Sequence, residues 1–354
     1  MHIRRVLTLA AAVATLAGTP VLVAQQNNQQ PNRRDQERRS QQEQRDIQAL
    51  VQLVDTVAAG KQPAPTDIGV RWEGNHFIRG ADGSTYIPFT VVIDATKLAA
   101  PGTAFYVRVV NKNATPAAAP AAAQNNRGRN QEAAAVTYPW DNVNFLDVRP
   151  DGRISRAMAL KPGEYDVFIA IKEKSPLEPQ RNQPPAKAGL LRRDLTVPDF
   201  NAPDLSLSSV FIGDIDQIAA PLTPEQQQEN PYTFGNMRVV PSTDFKLKKS
   251  GELQVLFWLY GTQQASGKPD VQIEYSFHQK TAEGEKYFNK TAPQLLNATT
   301  LPPQFDVAAG HQLPGSLIVP LMSFPVGEYR LEIKVTDKVS GKTLTHNANF
   351  TIEA

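Results

Sequence analysis

Gly327-Glu328-Tyr329-Arg330-Leu331-Glu332-Ile333-Lys334-Val335 decides the fold class. Tyr329, Leu331, Ile333 and Val335 alternate with Glu328, Arg330, Glu332 and Lys334. An apolar period of two marks a strand with one buried face and one wet face. Pro325 and Gly327 place a turn before it. The same order stands earlier: Pro162-Gly163-Glu164-Tyr165, then Ile169, Ile171 and Lys174 where the later copy has Ile333, Val335 and Lys338. Each copy then closes on a terminal strand, Leu195-Thr196-Val197 or Phe350-Thr351-Ile352. Between these anchors run further alternating sets, such as Phe89, Val91 and Ile93, or Phe105, Val107 and Val109, or Val271, Ile273, Tyr275 and Phe277. Pro101-Gly102, Pro150-Asp151-Gly152 and similar pairs punctuate them. Short alternating strands with regular turns predict an antiparallel sandwich, and the repeat predicts two in tandem, over 66–198 and 204–354, joined by a linker at 199–203.

A turn glycine followed two residues later by a strand-opening tyrosine resembles the tyrosine corner of immunoglobulin-like sandwiches. The resemblance implies a structural role for Tyr165 and Tyr329, each hydroxyl bonding a nearby backbone group. The fold class is therefore all-β, with two tandem immunoglobulin-like antiparallel β-sandwiches. The stretch Leu301–Asp306 followed by Phe324–Lys338 is also similar to the tails of uncharacterised bacterial exported proteins. In some of those a von Willebrand type A domain precedes the tail. This second resemblance covers about the last 150 residues; it implies an extracytoplasmic sandwich module and brings no catalytic residue with it.

Upstream of the sandwiches the pattern differs. Arg4-Arg5, the apolar run Val6–Ala17 and the small residue at Ala24 have the order of a secretory signal peptide over 1–24. Its apolar stretch is short for a bilayer span, so no transmembrane segment is expected after cleavage, and the product is periplasmic or secreted. Residues 25–40 hold almost no apolar side chain and read as a disordered arm. Ile47, Leu50, Val51, Val54 and Ala58 recur at helical spacing, which predicts one amphipathic helix over 41–60, stopped by Gly60. That helix packs on its own first domain or serves to assemble subunits. Thr223-Pro224-Glu225 has the form of a short helix start. The segment 113–135 is an Ala-, Pro-, Asn- and Arg-rich insertion between strands.

The chain has 354 residues, 37 basic and 35 acidic, and no cysteine. Without Arg4 and Arg5 the formal charge falls from +2 to zero. Nothing electrostatic calls for nucleic acid or an anionic membrane. The lack of cysteine removes disulfides, thiolate metal sites and cysteine nucleophiles, so stability must come from buried cores.

Candidate sites are few. Asp204-Leu205-Ser206-Leu207-Ser208 spells the D-x-S-x-S pattern that holds a hard cation in von Willebrand type A domains, through Asp204, Ser206 and Ser208. Its flanks differ from that context, with a Pro-containing linker before it and strand-like residues after it. Asp214 and Asp216 beside Gly213 are too few carboxylates for calcium and read as a capped turn. The histidines beyond His2 (His76, His278, His311, His346) share no triad or ligand spacing, and no G-x-S-x-G occurs. No cofactor pattern is present. Leu256, Trp258 and Tyr260 face away from Leu253, Val255, Phe257 and Leu259, which leaves one strand apolar on both faces. Such a strand is covered twice or presents a patch to a partner. On the second reading Trp258, Tyr260 and Leu256 form a ligand-binding face. The sequence thus predicts a non-enzymatic extracytoplasmic module binding an envelope or extracellular protein or a glycan. The alternatives are a metal-dependent adhesin or hydrolase, and a structural envelope subunit assembled through the helix.

Overall fold

A computed structural model describes residues 33–113, 137–177 and 185–354. The signal-peptide segment, the first part of the arm and almost all of the 113–135 insertion lie outside the described residues.

The first sandwich uses β1 (Val70–Asn75), β2 (Ile78–Arg79), β3 (Thr85–Ile93), β4 (Gly102–Asn111), β5 (Trp140–Asp147), β6 (Arg153–Leu160), β7 (Gly163–Glu173) and β8 (Ala188–Val197). One sheet centres on β3, with β1 and β2 on one edge and β6 on the other; the second runs β5-β4-β7-β8. Their inner faces supply the core: Ile87, Phe89, Val91 and Ile93 against Phe105, Val107, Val109, Val167, Ile169 and Ile171. These are the alternating positions expected of strands with one face toward a partner sheet.

The second sandwich uses β9 (Ser206–Leu207), β10 (Phe211–Gln217), β11 (Thr233–Phe234), β12 (Met237–Pro241), β13 (Lys246–Lys248), β14 (Glu252–Tyr260), the small hairpin β15 (Gln264–Ala265) and β16 (Lys268–Pro269), then β17 (Val271–Thr281), β18 (Gly284–Lys290), β19 (Gln294–Leu296), β20 (Leu313–Pro320), β21 (Gly327–Asp337) and β22 (Thr343–Glu353). One sheet runs β11-β12-β10-β14-β20 and the other β13-β22-β21-β17-β18. Pairing is antiparallel except for β13, which runs parallel to β22. The chain leaves the first sheet at β12 and reaches the free edge of the last strand in the same direction. Gly213–Gln217 pairs with β12 as strand, so Asp214 and Asp216 do not form the expected turn.

α1 spans Arg33–Ala58 and ends before Gly60, whose φ is +67°. The helix therefore begins inside the segment expected to be a disordered arm. Its first turns lack apolar residues but are rich in Arg, Gln and Glu, which are good helix formers. Leu50 and Val54 are fully buried on the outer face of the β4–β7 sheet, against Ala104, Tyr106, Phe168 and Ala170. Two charged contacts set the register. Asp46, buried, accepts from Lys172 Nζ at 2.5 Å and from the Ser175 backbone N–H at 3.0 Å. Asp55 bonds the buried Arg108 guanidinium, which lies 4.1 Å over the Tyr138 ring. α2 (Pro224–Glu229) starts at the Thr223 cap with a full capping box.

The two sandwiches share a third apolar core. Ile78 and Tyr86 from the outer face of the β3 sheet, and Phe200 from the linker, meet Phe211, Tyr232, Leu256, Trp258 and Tyr260. The order of layers is helix, sheet, sheet, sheet, sheet, with a separate apolar cluster between each pair of neighbours.

Candidate functional site

The residues expected to form a ligand-binding face are interior. Leu256, Trp258 and Tyr260 retain 2%, 7% and 2% exposure. Trp258 meets Phe234 and Phe211 edge-on at 5.0 and 6.0 Å. The Tyr260 hydroxyl accepts from the Arg79 backbone N–H at 3.0 Å, and the Arg79 guanidinium lies 4.9 Å over the Tyr260 ring. The first sandwich covers this face, and burial of its apolar area is the reason the binding-face reading fails. The second apolar face of the strand belongs to the interdomain core.

The D-x-S-x-S residues do not converge on a cation. Asp204 pairs with Lys342 Nζ at 2.8 Å. The Ser208 hydroxyl accepts from the Trp258 backbone N–H at 2.9 Å and donates to the Ser209 carbonyl at 2.8 Å. Ser206 sits in β9, paired opposite Tyr260. Asp204 is thus held in an ion pair, Ser206 stands in a paired strand and the Ser208 hydroxyl is committed to backbone bonds. Among the described residues no group of three His, Cys, Asp or Glu side chains could hold a metal.

Tyr165 and Tyr329 behave as the resemblance implies. Each hydroxyl donates to the backbone carbonyl four residues earlier, Lys161 and Pro325, at 2.8 Å. Both rings are buried, and Gly163 and Gly327 two residues before them have φ of +152° and +147°. An L side chain rarely adopts that conformation, which explains the glycine in both copies.

A cleft of about 1040 Å³ lies between the sandwiches. One wall comes from β1, β5 and β6 of the first sandwich, and the other from α2, the Pro231–Thr233 segment and β12 with the loop after it. Arg153 of β6 reaches across both. Its Nη2 pairs with Glu73 at 2.9 Å and approaches Thr243 Oγ1 at 3.5 Å. Arg238 on the far wall pairs with Asp216 at 2.9 Å. Arg156 has no such partner. Its Nη1 donates only to the Ser155 carbonyl at 2.8 Å, and its Nε is buried without a hydrogen-bond partner. Burial lowers the pKa of the Arg156 guanidinium from the ordinary arginine value, with Glu229 working against that shift and Arg149 adding to it.

His76 closes the inner end of the cleft. It stacks on Phe211 at 4.2 Å and meets Tyr232 edge-on at 5.6 Å. Burial lowers its pKa to about 4, so the ring is neutral near pH 7. Burial likewise pushes Tyr232 up to about 12. No short motif announces this cleft, because its walls come from separate segments spread between Glu73 and Phe245. One signal was present: Arg156 interrupts the apolar stripe Ile154, Met158, Leu160 at a core-facing register position opposite Phe89.

Fold and site together define an all-β protein of two sandwiches sharing an interdomain core and an open polar cleft. No family model matches the chain, and no curated protein matches it. Among solved structures it is similar to Escherichia coli alpha-2-macroglobulin activated by porcine elastase, at 12% identity and a TM-score of 0.22, over 81% of this chain and 23% of that one. It is also similar to the trypsin-activated form from Escherichia coli, at 11% identity and a TM-score of 0.21, over 82% of this chain and 17% of that one. This chain thus spans less than a quarter of the length of those chains. A likeness this distant carries no function across.

Proposed function

We propose that this chain is an exported, non-enzymatic binding module of a bacterial envelope, which takes a protein or glycan partner in the cleft between its sandwiches. The cleft carries the reading. It is a wide concavity on a body whose two-faced apolar sheets are each covered internally, and clefts at domain boundaries are common binding sites. The non-enzymatic part is supported by His76. It is the histidine in the cleft, and a ring stacked on Phe211 with a pKa of about 4 is a poor general base near neutral pH. The shared corner geometry at Tyr165 and Tyr329 supports reading the sandwiches as related copies of one module. Assembly through α1 is disfavoured, since the seam of that helix is spent on its own first domain.

The test is binding of the full chain to arrays of oligosaccharides and of extended peptides. Thr243→Trp fills the cleft mouth, and Thr345→Trp places the same bulk on the exposed outer face of β22. Hits retained by the β22 variant and lost by the cleft variant are expected. No hits, or hits that survive the cleft variant, overturn the proposal.

A further inference from the structure

The cleft holds a charge that the fold itself leaves unsatisfied. Arg153 and Arg238 each have a carboxylate at 2.9 Å, whereas Arg156, half-buried between them and the sandwich core, has none within ion-pair reach among the described residues. A guanidinium stays protonated, so burying one without an anion and with an orphaned Nε–H is costly. Arg149, exposed on the turn before β6 and lining the same cleft, also has no ion pair among the described residues. An anion entering there would gain two cations that no protein carboxylate occupies.

The rest of the lining limits what that anion can be. Asp147, Asp151, Glu225 and Glu229 also face the cleft. They would repel a polyphosphate or any densely charged chain, but each is an acceptor for hydroxyl donors. Asn144 and Gln228 add amides that both donate and accept, and Phe245, 42% exposed, supplies an aromatic surface at the mouth. A single carboxylate among many hydroxyls matches both halves of this lining. An acidic peptide would satisfy the arginines and leave the carboxylate wall facing further anions.

We propose that the cleft binds an oligosaccharide bearing a carboxylate, a uronic-acid sugar, with the carboxylate taken by Arg156 beside Arg149 and the hydroxyls donating to Glu225 and Glu229 on the facing wall and to Asp147 and Asp151 beside the arginines. This rests on the cleft being the binding surface, and the experiment separates the two claims. Calorimetry on the full chain uses a tetrasaccharide that carries one glucuronic acid and three neutral sugars, its neutral methyl ester, and a Glu-containing peptide. The acid is expected to bind roughly tenfold or more tightly than the ester, as one charge-assisted pair requires. Arg156→Gln and Arg149→Gln should each shrink that ratio, with Arg156→Gln bringing it near one while the melting temperature stays at or above that of the parent chain. The ester comparison needs no variant, so a misfolded mutant cannot rescue or sink the idea. Equal binding of acid and ester, or an Arg156→Gln chain that keeps the ratio, overturns the sugar-acid assignment. Peptide binding blocked by Thr243→Trp, without uronate binding, overturns the sugar class and leaves the cleft reading standing. Uronate binding indifferent to Thr243→Trp overturns both.

Discussion

Replacing Trp258 by Ala removes the centre of the interdomain core. The indole is 7% exposed and makes edge contacts with Phe234 and Phe211. Truncating a buried Trp costs about 3–5 kcal/mol, from lost transfer energy and the cavity left behind. Each sandwich keeps its own core, Leu253 to Ile352 in one and Ile87 to Val197 in the other. Phe211 and Phe234 belong to the second sandwich, while Ile78, Tyr86 and Phe200 of the same cluster belong to the first and the linker, so the loss falls on the outer face of the second sandwich and on its coupling to the first. For a body of this size roughly 2–4 °C follows each kcal/mol, so a fall of about 6–20 °C is expected. Calorimetric unfolding should also change from one transition toward two. Tyr260→Phe is the finer probe: it deletes the acceptor of the Arg79 N–H, at about 1–3 kcal/mol, with the ring left in place. A Trp258→Ala chain that melts within about 2 °C of the parent, in one transition, would refute the shared core. It would also restore the exposed binding face that the two-sided apolarity of β14 first suggested.

Three further outcomes follow from named contacts. Asp46→Ala leaves the half-buried Lys172 without its carboxylate, so α1 should loosen at about 3 kcal/mol and proteolysis within it should accelerate while the sandwiches stay folded. Gly315→Ala brings a methyl to 2.3 Å from the Phe257 ring, and denaturant unfolding should show a loss of about 1–3 kcal/mol. His76 has a folded pKa of about 4 against 6.5 in the unfolded chain. The unfolded state then binds the extra proton, so this stabilisation is complete above pH 6.5 and is lost as pH falls toward 4. Its size is about 3 kcal/mol at most, and the urea midpoint of the parent should fall across that window by an increment that His76→Phe lacks.

Local pattern carried the strands well, and for a physical reason. The period-two face of β21 depends only on which side of a sheet is wet, and every expected core position there, Tyr329, Leu331, Ile333 and Val335, is buried, while on the same side of β22 Phe350 and Ile352 are buried and Leu344, His346 and Ala348 half-buried. The tyrosine corners were legible for the same reason, since donor and acceptor lie four residues apart. What covers a two-faced strand is not local. Ile78, Tyr86 and Phe200 lie in segments with no pattern tying them to Trp258, so the strand could be read as covered or as exposed. The start of α1 was missed because apolar spacing was the criterion, while the helix before Gln41 rests on propensity. The seats of Asp46 and Asp55 depend on Lys172 and Arg108, which lie 126 and 53 residues further along. Arg156 is the intermediate case: a charge on a core stripe is visible in sequence, but its lack of a partner is not.

The layering also constrains the chemistry of any partner. Three sheets carry apolar residues on both faces, and each spare face is consumed within the chain, by α1 at β4–β7 and by the packing of the β3 sheet against the β10–β14 sheet. The last sheet turns outward Thr343, Thr345, Asn347 and Asn349, all exposed and polar. Large exposed apolar side chains remain, such as Met322 at 72% and Tyr287 at 59%, but isolated exposures of this kind are ordinary on soluble surfaces. A partner recognised mainly by apolar burial would need a contiguous patch, and the spare apolar sheet faces among the described residues are already buried within the chain. On the proposed reading, recognition comes from hydrogen bonds and charge in a concave place where water is partly displaced. Only there does an unpaired guanidinium gain enough from a ligand to matter, because the same pairing on an open surface contributes about 1 kcal/mol or less. The half-buried Arg156 sits on the wall of such a place.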